Sequence, residues 1–120
     1  MESNISPESR SVEGWMENLS RFSQAVKDAK DLPDAVSAVE KESFDMLSWA
    51  GRGRFNSDKR HLRDRVQSAL ESICAPPQTI KKDQKMMARL LDVGDRLQQC
   101  YKKIRDQQVD QQIGRNSLQG

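Results

Sequence analysis

Apolar residues recur in steps of three and four through Val12, Trp15, Leu19, Phe22, Val26 and Ala29, a spacing that keeps them on one face of an α-helix. Ser6 ahead of Pro7 and Glu8 is a residue of the N-cap type. Proline in a first turn forfeits no hydrogen bond, so the pattern predicts a helix over residues 7–30. Gly14 weakens its first turns by about 1 kcal/mol relative to alanine. Asp31-Leu32-Pro33-Asp34 stops this helix and starts a second over residues 33–50, with Asp31 or Leu32 at the cap. Val36, Val39, Ser43, Met46, Leu47 and Ala50 share one side of it. Phe44 and Trp49 widen that surface, and Gly51 supplies the stop.

Gly51 to Asn56 is loop-forming in composition, and Asn56 or Ser57 caps a third helix over residues 58–74 with Leu62, Val66, Ala69, Leu70 and Ile73 inside. Pro76-Pro77 ends it. Met86, Leu90, Val93, Leu97, Cys100, Tyr101 and Ile104 then sustain one apolar face without a proline, which predicts a fourth helix over residues 79–112. It outruns the third by roughly 20 Å and leaves residues 107–112 without an intrachain neighbour, to fray or to pack on another chain. The first ten and last eight residues read as flexible tails. Short connections between such helices make an all-α, antiparallel four-helix bundle the most economical fold, and a hairpin that dimerises into the same shape is its alternative.

Composition narrows the class. With 120 residues there is room for one domain over residues 1–120, and a hydrophobic share of 35% lies below the usual range of about 45–50%, so modest stability is expected. A net charge of +2 by itself implies neither nucleic acid nor an acidic membrane as a partner. Its distribution is uneven. Residues 1–51 carry five basic and ten acidic side chains, a balance of −5, whereas residues 52–120 carry fifteen and eight, a balance of +7. Either the halves neutralise each other on packing or the basic half faces an anionic partner.

Two cysteines are too few for a disulfide scaffold. With Cys74 at a turn and Cys100 about 30 Å along the next helix, they lie beyond disulfide reach. No run approaches the roughly 18 apolar residues of a membrane span and no secretory signal opens the chain, so the expected address is cytoplasmic. The polar, Ser-rich opening is also the composition of export signals in injected bacterial effectors, which keeps a second destination open. Asn18-Leu19-Ser20 matches a glycosylation acceptor but falls inside a predicted helix.

Catalytic and cofactor chemistry has little to build on. One histidine, His61, and two distant cysteines make no metal site, no Glu-x-x-His pair exists, and His61 sits on a basic, solvated face. Gly51-Arg52-Gly53-Arg54 shares only its glycine content with phosphate-cradling loops. The sequence therefore predicts no enzyme, no cofactor and no metal.

Two surfaces remain as candidates for a partner. Arg52, Arg54, Lys59, Arg60, Arg63 and Arg65 crowd the start of the third helix, while Lys81, Lys85, Arg89, Arg96 and Lys103 fall within about 80° on the fourth. Merged, they would form a basic ridge able to track phosphates, although Asp92, Asp106 and Asp110 share the stripe and no aromatics interleave. The second surface is apolar, because Trp15, Met16, Trp49, Phe55, Met86 and Met87 exceed what narrow seams need. Trp49, Phe55, Met86 and Leu91 are its candidates for contact with a protein. Trp15 and Trp49 also suit the core of so small a domain. The expectation is a non-enzymatic helical interaction protein with a protein partner, able to form a homodimer. The alternative is a small bundle that binds double-stranded RNA or DNA.

Overall fold

The computed structural model describes the backbone of residues 7–119 and the side chains of residues 12–111. Five helices and no strand are found among the described residues: α1 (Pro7–Asp28), α2 (Leu32–Ala50), α3 (Ser57–Cys74), the single turn α4 (Gln78–Lys81) and α5 (Gln84–Gln119). The tails expected at the ends lie outside the described side chains. Within them the backbone is helical from Pro7 and as far as Gln119, beyond the stop expected near residue 112.

Local chemistry explains most of the boundaries. Ala29 turns left-handed at φ 54°, and the Lys30 N–H donates back to the Ala25 carbonyl at 3.2 Å, closing α1 two residues before the expected end. Asp31 occupies the N-cap position of α2, also left-handed at φ 55°, but its side chain makes no capping bond; Pro33 stands in the first turn as expected. Asn56 is the cap of α3, where its side-chain oxygen accepts from the Lys59 N–H at 2.8 Å. The expected single fourth helix is two helices. The break falls at Lys82 and Asp83, and Asp83 restarts the chain by accepting the Met86 N–H on Oδ1 at 3.1 Å. Lys81 therefore stands on α4, off the α5 stripe that the helical period predicts for it.

The apolar stripes meet in one core. Leu19, Phe22 and Val26 of α1, Val36, Val39 and Met46 of α2, Leu62, Val66 and Ala69 of α3, and Leu90, Val93, Leu97, Cys100 and Ile104 of α5 have no exposed surface. Each large member contributes about 1.5–3 kcal/mol by leaving water. Gly94 of α5 faces Ile73 and Leu70 of α3, where an added Cβ would stand 3.4 Å from Ile73 Cδ1.

Each of α1 and α5 packs against both α2 and α3, so the four long helices close a ring in the order α1, α2, α5, α3. Asn18 bonds to Glu42 and Trp15 meets Trp49, which sets α1 and α2 in opposite directions. Likewise Ile73 lies by Gly94 and Lys59 by Gln107, opposing α3 and α5. Along the α2–α5 seam the numbering rises together, from Glu40 with Arg89 through Ser43 with Arg96 to Gly51 beside Lys103, so these two neighbours run in the same direction. The connection from α2 to α3 therefore crosses the ring's diagonal.

This topology turns the charge asymmetry of the sequence into a spatial one. The acidic half forms the α1–α2 side and the basic half the α3–α5 side. Neutralisation across the join is slight: among the described residues Arg89–Glu40 is the one ion pair between the halves, while Arg63–Asp64, Arg96–Asp92 and Arg105–Asp106 lie within the second. No described helix is long and apolar enough to cross a membrane.

Candidate functional site

The basic residues that were expected to merge into a ridge are distributed over separate seams. Lys59 is a correction: it is 2% exposed and belongs to the interior. Its ammonium donates to the carbonyls of Ala50, at 3.4 Å, and Arg52, and to Gln107 Oε1 at 2.8 Å, and it stands 5.5 Å from the centre of the Trp49 ring. A cation against the last carbonyls of a helix is a favourable C-terminal cap. Loss of hydration, and then the charge of Arg52, hold this ammonium below the usual lysine range.

Arg63 turns toward α5, bonding Gln108 Oε1 and covering Phe55 at 5.8 Å, while Arg65 turns the other way and donates to Ser20 Oγ of α1 at 2.5 Å. Arg65 lines a shallow groove with Glu13, Glu17 and Arg21, a surface of mixed charge. The contacts of Lys59 and Arg63 also give Gln107 and Gln108 intrachain neighbours, so the overhang of α5 begins only after them. Arg52, Arg54 and Arg60 remain exposed, as does His61.

On α5 the stripe faces α2. Arg89 grips Glu40 with two bonds, Nη2 to Oε1 at 2.7 Å and Nε to Oε2 at 3.2 Å, and reaches Ser37 Oγ at 3.0 Å. The bond from Arg89 holds the Glu40 carboxyl below the ordinary carboxylate range. Arg96 is fixed by Ser43 Oγ at 2.7 Å and Asp92 at 2.8 Å, which sets its guanidinium 4.3 Å from the centre of the Phe44 ring. Lys85 and Lys103 are exposed at the two ends of this run.

The apolar candidates divide. Trp49 and Met86 are corrections, because they lie in the core at 8% and 9% exposure, Trp49 edge-on to Trp15 with ring centres 5.8 Å apart. Phe55 is half-buried against the core, under Arg63. Leu91 is 60% exposed on α5. The residue that the candidate set lacked is Phe44, 61% exposed beside Arg96. A signal for it existed: five positions past the buried Val39, it falls about 140° off the core direction of α2.

The α2–α5 seam is thus a polar, largely basic strip with one exposed aromatic ring near its middle. Comparison with protein-family models, curated proteins and solved structures found no match to this chain.

Proposed function

We propose that the protein is a non-enzymatic helical interaction module, with the α2–α5 seam as its docking face for another protein. The observation that carries this reading is Phe44. A phenylalanine in water gains nothing for the fold, and here Arg96 is braced by Ser43 and Asp92 so that its cation rests on the ring while 61% of the residue stays exposed. Aromatic and arginine side chains set side by side are the residue types that dominate protein–protein contacts. Lys85 and Lys103, about 27 Å apart along α5, bracket the ring with unpaired positive charge and favour a partner helix with an apolar centre and acidic ends. The scaffold in this reading is a four-helix bundle whose α2–α3 link crosses the diagonal, a rigid support for one exposed face.

The same geometry weakens the nucleic-acid alternative. Arg89 and Arg96 spend their bonds inside the chain, Lys59 is buried, and Arg63 and Arg65 point to different seams. A salt titration against labelled duplex and single-stranded RNA and DNA separates the two. Protein docking predicts no binding tighter than about 10 μM at roughly 150 mM salt. Micromolar binding that falls steeply with salt and is lost in Arg60→Glu would overturn the reading.

A further inference from the structure

The diagonal connection between α2 and α3 borders, with the first turn of α3, an open cavity of about 230 Å3 lined by Trp49, Arg52, Gly53, Arg54, Asn56 and Lys59. Three of these six residues carry cations and none carries a carboxylate. Among the described residues no carboxylate lies within ion-pair distance of Arg52, Arg54 or Lys59. The oxygens around the Lys59 ammonium are all neutral. In a chain with eighteen acidic residues, a small cavity lined by three cations with no carboxylate partner carries a repulsion that an anion would relieve, meeting Lys59 by its charge and Arg52 and Arg54 by their donors. Loss of hydration, and then the charge of Arg52, disfavour the charged form of Lys59.

We propose that this cavity binds a phosphoryl oxyanion, as free phosphate or as a phosphate monoester. The charge fits: a dianion balances more of the three cations than a carboxylate does. The donors fit as well, because Arg52 and Arg54 are exposed on either side of Gly53 and guanidinium forks match phosphate oxygens. The carbonyls of Ala50 and Arg52, which would repel an anion, are turned onto Lys59. At Gly53 nothing lies within 4 Å of the position a side chain would take, so the loop leaves the approach open. The volume lies below the roughly 300–1,000 Å3 of sites for drug-sized ligands, as suits one phosphoryl group and its waters.

The test is an NMR titration of the 15N-labelled full chain with sodium phosphate at constant ionic strength, against sodium chloride as the blank. Saturable shifts confined to the amides of Gly53, Arg54 and Asn56 and the Trp49 indole are expected, with a dissociation constant on the order of 1 mM. In the double variant Arg52→Ala/Arg54→Ala the affinity falls about tenfold or more, while the melting temperature holds because both side chains are exposed. A parallel titration with O-phosphoserine identifies the source: tighter binding than phosphate points to a phosphorylated side chain, equal binding to the free anion. Shifts that do not saturate, that chloride reproduces, or that the double variant leaves unchanged would overturn the proposal.

Discussion

Replacing Lys59 with methionine is expected to cost about 3 kcal/mol of folding stability, a large share of what a small domain has. The substitution keeps most of the side chain's length and apolar stem, so packing changes little. It removes the donor that ties three elements together: the end of α2 through Ala50 and Arg52, the start of α3 on which Lys59 stands, and α5 through Gln107. Methionine offers those oxygens nothing; the Ala50 bond is buried and the other two are part-buried, and a buried acceptor left unpaired costs about 1–3 kcal/mol. Removing the desolvation cost of the ammonium offsets part of this, which keeps the figure below the sum over three bonds. Urea unfolding followed by tryptophan fluorescence reads the change, with Trp49 beside the site as a local reporter. Arg60→Met, one position along on an exposed face, is the control and should change stability by less than about 0.5 kcal/mol. A loss under about 1 kcal/mol for Lys59→Met would show that water replaces the ammonium without penalty.

Stability is also expected to fall by about 2 kcal/mol between pH 8 and about 10.5 on account of Cys100 alone. Burial among the core residues of α5 pushes this thiol up to about 12 from an ordinary value of 9.0. Between those values the unfolded chain loses the proton and the folded chain keeps it, so the contribution is complete below 9.0 and is lost as pH rises toward 12. Lys59 acts in the opposite sense. Its folded value is lowered, so stability from that group rises with pH through the range just under 10.5. Comparing wild type with Cys100→Ala isolates the thiol, since every other titration is shared. The variant should lose about 2 kcal/mol less than wild type over this window, with the difference in slope approaching roughly 1.4 kcal/mol per unit only above about pH 10. A thiol reagent gives the companion reading at pH 8: Cys74, exposed at the end of α3, reacts in the native protein, and Cys100 only after unfolding. Parallel stability curves for the two proteins would refute the assignment.

Most of the helical framework was legible in the sequence because period and punctuation are local. The stripe from Val12 to Val26, the Asn56 cap and the Pro76-Pro77 stop need only the chain's own geometry. The break at Lys82 and Asp83 was also written locally, in an aspartate placed to cap the next turn, but the unbroken apolar face from Met86 onward masked it. The fate of the charges was not legible. A helical wheel gives the angle of Lys59, Arg63 or Arg65 on α3, yet which helix stands at that angle depends on the order of the ring. The diagonal α2–α3 crossing put Lys59 under the end of α2 and separated Arg63 from Arg65. Arg89 and Arg96 shared a stripe in the sequence and share one in the structure. Their partners on α2 follow from two helices running in the same direction, which no local signal announces.

The central claim, that the Phe44 face meets a protein, is tested most directly by placing p-benzoylphenylalanine at position 44 of the full chain. The protein is then irradiated in its native cells, with position 61 on the far side of the basic half as the control. A discrete protein adduct at 44, absent at 61 and lost when Lys85 and Lys103 are both changed to glutamate, is the predicted result. Adducts with nucleic acid, or the same adducts at both positions, would contradict it.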